Sequence, residues 1–385
     1  MQYIDNIIAH YGWQGCALAA TILILLSIQL WYYLVTYGHI SRFRNSRRKK
    51  KLTSEPPVSI IVPMFSEDYT YLDECLPRLL GQQYATTFEV VIVYVGSNSD
   101  FYEELMRLRL FHQNLTVTKI EFNPRFPISV KMALNVGIKA AHNEHLLITT
   151  TSAIPATDQW LAMMGKAFMR GDIVLGYTAL EQQPGLTNYM MRASRLQTSL
   201  YWLAAAVSGH TYRGSRNNFG FTKSIYFNAK GFNYLNMNIG EEDLFIQKVA
   251  RKKNVSVVLI PKGSMIEQPW GGLKWWIAQL RHYGSAYRFY PRSVRNTIEW
   301  DLGSQTLFFI AILTALIFMP LELKIAALLL FIIRYVVVLL RIRSIAKRVG
   351  EQGMLLRYAL FDLFNPLLML GAKIALLRKD ETVWR

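Results

Sequence analysis

The sequence predicts a doubly wound α/β domain held between hydrophobic membrane anchors. Three observations point there. Short apolar runs alternate with amphipathic helical patterns between residues 56 and about 296. Residues 16–37, CALAATILILLSIQLWYYLVTY, carry no charge. A second apolar block begins near Gln305, breaks at Pro320-Leu321-Glu322-Leu323-Lys324 and resumes over 325–340. The 385 residues divide accordingly into an anchor at 1–40, a basic cytosolic linker at 41–56, a cytosolic α/β domain at 57–296 and a C-terminal transmembrane hairpin with interfacial helices at 297–385.

The first apolar run has about 22 residues, enough at 1.5 Å per residue to cross a hydrocarbon core of roughly 30 Å. It is too long for a signal-peptide core, its positive residues follow it, and no small-x-small cleavage site is obvious, so it reads as a retained anchor. Arg42, Arg44, Arg47, Arg48, Lys49, Lys50 and Lys51 come next and hold that end in the cytoplasm. The hairpin finishes in Arg341, Arg343, Lys347 and Arg348, which places both of its ends on the same side. The expected location is an inner membrane, crossed several times, with the main domain cytoplasmic. Arg334 lies within the second hairpin span, where a charge must pair or snorkel. Residues 355–377 are apolar but include Arg357, Asp362, Asn365, Pro366 and Lys373, the mark of an interfacial or re-entrant helix pair.

The net charge of +17 suits nucleic acid, phosphorylated substrates or an anionic membrane. No nucleic-acid motif accompanies it and many basic residues flank apolar runs, so membrane lipids are the expected partner and nucleic acid is not. Cys16 and Cys75 have no metal or redox spacing.

Within the central domain, Val58-Ser59-Ile60-Ile61-Val62 is a continuous apolar run closed by Pro63, as in a buried parallel strand. Residues 72–80 have helical spacing, 88–95 form the next strand and 102–111 the next helix. A third strand follows at 115–122, a helix at 130–141 and a fourth strand at 145–150. Ligands of such sheets bind beyond the carboxyl ends of the strands.

The order of local motifs narrows the choice. Val58-Ser59-Ile60-Ile61-Val62-Pro63, then Leu79-Leu80-Gly81-Gln82-Gln83-Tyr84, then Phe88-Glu89-Val90-Val91-Ile92-Val93 with Gly96-Ser97, resembles the opening of family 2 glycosyltransferases. Lys131-Met132-Ala133-Leu134-Asn135, Ile154-Pro155 before Trp160-Leu161, Asn218, Lys223-Ser224, Gly231-Phe232 and Gly240-Glu241-Glu242-Asp243-Leu244 continue the series to about residue 290. The resemblance implies a GT-A domain that uses a nucleotide sugar and a divalent metal, with inversion at the sugar carbon. It also implies a lipid-linked acceptor or exported glycan at the cytoplasmic membrane face. In such chemistry a metal neutralises the departing diphosphate and a carboxylate deprotonates the acceptor hydroxyl.

Several positions depart from the family pattern. Where the family carries Asp-x-Asp for Mg²⁺ or Mn²⁺, this chain has Thr150-Thr151-Ser152, so the usual ligands are absent and no metal residue is assigned. Tyr94 and Val95 replace acidic residues on the nucleoside side; Tyr94 either stacks on a base or fills the strand end. The family's Gln-x-x-Arg-Trp becomes Gln279-Leu280-Arg281-His282-Tyr283, and Arg281 stands one position, about 100° of helix, from the place it would fill. Trp270, Trp275 and Trp276 suit a helix at the lipid interface.

Other positions are retained. Glu67 and Lys131 match nucleotide-side positions, with Thr150 and Ser152 beside them. Glu242 or Glu241 is the expected catalytic base, with Asp243 in the same cluster; acidic residues here also suit a helix start. Arg213 and Arg216 either pair with phosphates in place of a metal or are surface arginines. Two functions therefore stand: a transferase, or a non-catalytic relative that binds a membrane protein partner.

Overall fold

A computed structural model describes residues 2–44, 55–121, 129–232 and 241–377. Most of the basic linker, including Arg47, Arg48 and Lys49 to Lys51, lies outside the described residues, as do Phe122, Gly240 and the side chain of Glu241.

The central sheet has seven strands: β1 (Val58–Met64), β2 (Phe88–Val95), β3 (Leu115–Ile120), β4 (His145–Ile148), β6 (Ile173–Gly176), β8 (Phe219–Thr222) and β9 (Val255–Val258). Their order is β3-β2-β1-β4-β8-β6-β9. All run parallel except β8, which is antiparallel to both neighbours, so the sheet is mixed. A second sheet joins β5 (Ala153–Pro155), β10 (Met265–Glu267) and β7 (Thr178–Leu180) in the order β5-β10-β7. β1 is buried along its whole length, which is why its sequence is apolar without alternation.

The domain's helices are α3 (Leu76–Leu80), α4 (Ser99–Phe111), α5 (Val130–Ala140), α6 (Trp160–Phe168), α7 (Leu186–Ser208), α8 (Lys223–Asn228), α9 (Glu241–Val249) and α10 (Gly272–Tyr287). Side chains cap three of them: Asn98 accepts from Phe101 N at 3.1 Å, Ser129 from Met132 N at 3.3 Å and Thr222 from Ile225 N at 3.4 Å. α5 sits close on the sheet because Gly137 has no Cβ; an added one would fall 2.6 Å from Ile61 Cγ2 and 2.8 Å from Val93 Cγ2. Glu89, buried in β2, accepts from Ser59 Oγ at 2.6 Å, Thr116 Oγ1 at 3.0 Å and His142 N at 2.6 Å. Burial alone would raise its pKa, but these hydrogen bonds outweigh it and hold the carboxyl below its ordinary range.

The outer helices are α1 (Gln2–Trp31), α2 (Gly38–Arg42), α11 (Arg292–Phe318), α12 (Leu321–Val349) and α13 (Leu355–Leu377). Among the described residues three stretches are long and apolar enough to cross a membrane: Gly12–Arg42, Arg292–Phe318 and Leu321–Val349. Arg334 does not snorkel. It is fully buried and pairs with Asp362 at 2.6 Å, while its other arm donates to Gln29 Oε1 at 2.9 Å. Gln29 Nε2 in turn donates to Ser304 Oγ at 2.7 Å.

Residues 355–377 form one helix with Pro366 inside it, not a helix pair. Asp362 and Asn365 fall inside that helix. Both are buried, and Gln305 donates to Asp362 Oδ1 at 2.8 Å while Asn365 donates to Gln305 Oε1 at 3.2 Å.

α7 links the two parts of the molecule. Arg192 donates to Glu351, just past α12, at 2.6 Å, and Tyr177 donates to the other oxygen of that carboxylate at 2.9 Å. Tyr201, also on α7, donates to Asp301 at 3.0 Å, as does Tyr37 at 2.6 Å.

Candidate functional site

β1 and β4 are adjacent, with the chain's earlier strands on one side and its later ones on the other. A doubly wound sheet opens a crevice at such a point, beyond the carboxyl ends of the strands. A cavity of about 490 Å³ lies there. Pro63, Phe65 and Ser66 line it after β1, and Ile148 to Ser152 after β4. α7 and α10 form its outer walls.

α10 presents Trp275, Trp276, Gln279, His282 and Tyr283 to the cavity. These positions recur at three and four residues, one face of a helix. Arg281, about 200° around the helix from Gln279, is not in the lining. Trp275 and Trp276 therefore line the cavity, and Trp276 is buried, whereas Trp270 is exposed. α7 contributes Ser194, Arg195, Thr198 and Trp202.

Among the described side chains of α9, the carboxylate that reaches the cavity is that of Glu242. Its Oε1 lies 3.9 Å from His282 Nε2. Burial pushes its pKa up, but the neighbouring His282 and the charge of Arg216 outweigh burial and hold it down at about 2. Glu242 is thus an anion facing the cavity.

Asp243 is turned the other way. It is buried behind the lining, accepts from Tyr290 Oη at 2.6 Å and has Arg213 Nε 3.6 Å from its Oδ2. Burial, aided by the charge of Glu242, pushes its pKa up to about 6 against the pull of Arg213. Arg213 itself lines the cavity, with its guanidinium carbon 4.3 Å from the centre of the Tyr283 ring. Arg216 also lines the cavity and, among the described residues, forms no ion pair there.

Thr150 and Ser152 both line the cavity, but they satisfy each other. Thr150 Oγ1 is 2.9 Å from Ser152 Oγ and donates to Asn217 Oδ1 at 2.9 Å. This donor set is neutral and hydrogen-bonded within itself, while a hard divalent cation takes carboxylates and carbonyls. The nearby carboxylates are committed elsewhere: Glu267 accepts from Arg195 at 2.7 Å and Glu242 faces His282. Among the described residues no group of three His, Cys, Asp or Glu could hold a metal ion. The residues present do not fit Mg²⁺ or Mn²⁺ at 150–152.

Three expected nucleotide-side residues lie outside the lining. Tyr94 is fully buried, 6.4 Å from Tyr102 and parallel to it, and donates to Glu67 at 2.9 Å. It fills the strand end and is not placed to stack on a base. Glu67 also accepts from Asn98 Nδ2 at 3.2 Å and stands just beyond Phe65 and Ser66. On α5 it is Val130 and Leu134, not Lys131, that reach the cavity. Conversely, Arg195, Asn217 and Glu267 line the cavity without having been singled out in the sequence. Arg195 sits within a long mixed helix and Glu267 ends a three-residue strand, so neither stands in a motif.

No family model matches the chain. Over 88 residues, 23% of this chain, it is 36% identical to an N-acetylglucosaminyltransferase of Rhizobium leguminosarum bv. phaseoli, covering 18% of that protein. Over 87 residues, 22% of this chain, it is 36% identical to an N-acetylglucosaminyltransferase of Bradyrhizobium elkanii, covering 41% of that protein. The matches thus span less than half the length of these curated relatives. A solved mannosyltransferase from Pyrobaculum calidifontis, in complex with GDP-Man and Mn²⁺, superposes with a TM-score of 0.54 at 18% identity, over 90% of this chain and 99% of that one.

Proposed function

We propose, on the premise that the chain has the GT-A glycosyltransferase fold which that superposition shows, that it binds a nucleotide sugar in the cavity between β1, β4, α7 and α10. The proposed acceptor is a lipid-linked or exported glycan at the cytoplasmic membrane face, reached beside the anchors. The observation that carries the reading is one cavity lined by an anionic carboxylate, Glu242, and by Arg213, Arg216 and His282.

The chemistry would run as follows. The acceptor oxygen attacks the sugar's anomeric carbon, Glu242 takes the acceptor's proton, and the bond from that carbon to the phosphate oxygen breaks. The electron pair leaves with the nucleoside diphosphate, whose growing charge meets the guanidinium of Arg216. Asp243 would act as a positioning residue behind Arg213. No step is routed through a metal.

A second reading has its own support. The neutral Thr150, Ser152 and Asn217 set stands where metal aspartates are usual, and it suits a non-catalytic relative that uses the fold to bind a membrane protein partner.

Thermal unfolding of the detergent-purified chain with UDP, GDP or CDP, each with and without Mn²⁺, separates the readings. A nucleotide at about 100 times its Kd adds roughly 2.7 kcal/mol of stability. Stabilisation that Arg216→Ala removes supports the transferase. If no nucleotide stabilises the chain, the transferase reading fails and the binding role stands.

A further inference from the structure

A group of arginines collects where the first and third candidate spans end. Arg42 closes α2, and Arg341 lies in the last third of α12. Both guanidinium groups lean over Gly38. A Cβ added there would lie 3.4 Å from the Cζ of Arg42 and 3.8 Å from that of Arg341, so two like charges flank one point.

Neutral groups hold them in place. Arg42 donates to the carbonyls of Gly38 at 3.2 Å and Leu34 at 3.3 Å, and Arg341 donates to Ser41 Oγ at 2.6 Å. The Nε of Arg341 is buried and has no hydrogen-bond partner. Arg348, two turns further along α12, has Arg44 as its charged neighbour. Among the described residues, no carboxylate forms an ion pair with any of these four arginines.

Like charges at such separation repel by about 1 kcal/mol or more, depending on the local dielectric. An arrangement that brings them together, fixes them on backbone carbonyls and leaves out an acid is suited to an anion with several oxygens. Guanidinium groups bind phosphate in that way, two N–H groups to two oxygens.

The level of the group says where the anion comes from. Along α12 the apolar side chains Ile332, Ile333, Val336 and Leu340 are exposed, and exposure turns basic from Arg341 onward. On the first candidate span Trp31 and Leu34 are exposed before Arg42 and Arg44. The arginines stand where the exposed apolar surface of the candidate spans gives way to basic residues, the pattern of a headgroup boundary.

We propose that Arg42 and Arg341, flanked by Arg44 and Arg348, form a binding site for the phosphate of an anionic phospholipid headgroup. The site would pin the first span to the third from the cytoplasmic side. It is independent of the catalytic reading.

The test uses the full chain in nanodiscs of phosphatidylcholine alone, or with about one fifth phosphatidylglycerol. The anionic lipid should raise the melting temperature of the wild type and be retained on detergent extraction. Arg42→Gln with Arg341→Gln should weaken retention by about tenfold or more, taking each arginine's contribution at a membrane surface. Arg107→Gln, on α4 against the edge strand β3, should leave it unchanged. If the glutamine variant melts lower in phosphatidylcholine alone, Arg42→Lys with Arg341→Lys decides. That variant keeps the charge but not the paired N–H geometry, and retention equal to wild type would overturn the site in favour of diffuse attraction. Equal stabilisation by millimolar inorganic phosphate in detergent would overturn the headgroup assignment.

Discussion

Glu242 and Asp243 are adjacent in sequence and face opposite ways, so they divide the work of one acidic cluster. Glu242→Gln keeps the shape of the side chain and removes the proton acceptor, so transfer should fall by at least about 100-fold. Nucleotide binding, read by melting shift, should persist. Asp243 gives a different signature. Its carboxyl is held up at about 6 against an ordinary 3.8. Its protonation therefore stabilises the folded chain fully below the ordinary value, and that stability is lost as pH rises through about 6. Between pH 7 and pH 5 the wild type should gain about 1 kcal/mol from this group. Asp243→Asn should remove that part of the slope, although Glu242, His282 and Arg213 also face this region and set the remainder. Urea unfolding at the two pH values reads the difference. That Glu242 enters the cavity and Asp243 turns away from it could not be read from the sequence, because both depend on the rotation of α9 against β8 and α10. Glu267 and Arg195 were invisible for a related reason: they meet across 72 residues of chain.

At the level of elements, the strands that carry their signal locally were legible. β1 and β2 are continuous buried runs, and β2 has the bounds its apolar pattern predicts. Strands of three or four residues such as β5, β7, β8 and β10 give too short a pattern to read, and the antiparallel direction of β8 leaves no mark in its own sequence. α10 has two faces, one lining the cavity and one exposing Leu273 and Ile277. Its tryptophans resemble an interfacial belt, and only the position of α7 shows that they wall the cavity. Two substitutions test the packing of elements. Gly137→Ala should force α5 away from Ile61 and Val93, at a cost of roughly 1–3 kcal/mol measured by denaturant unfolding. Arg334→Met should cost about 3–5 kcal/mol by leaving Asp362 buried without its cation, and adding Asp362→Leu should recover most of that loss. A double-mutant cycle on detergent melting reads the coupling.

For the molecule as a whole, the candidate spans and the α/β domain meet in a common apolar cluster. Tyr37 and Ile40 from the first span, Ile342 and Ile345 from α12, and Tyr358 and Phe361 from α13 belong to the same buried cluster as Leu175 and Phe219 of the sheet. A fragment of residues 55–296 would strip α7 of the cover that α2 and α13 give it. It should be recovered as aggregate, or bind an apolar dye strongly, where the full chain in detergent gives a cooperative melt. The sequence division into anchors and domain describes composition well; it says nothing of this common cluster, which exists only in three dimensions.

The ion pair between Arg192 and Glu351 also sets an order in time. The two residues are 159 positions apart. With synthesis at about 5–20 residues per second, the guanidinium on α7 waits on the order of ten seconds or more before its carboxylate is made. Gln29 waits longer, for Asp301, 272 positions on. The seating of α7, one wall of the cavity, is therefore among the last parts to set. A chain halted between the sheet and α12 has made Arg192 but not the carboxylate that it is buried against.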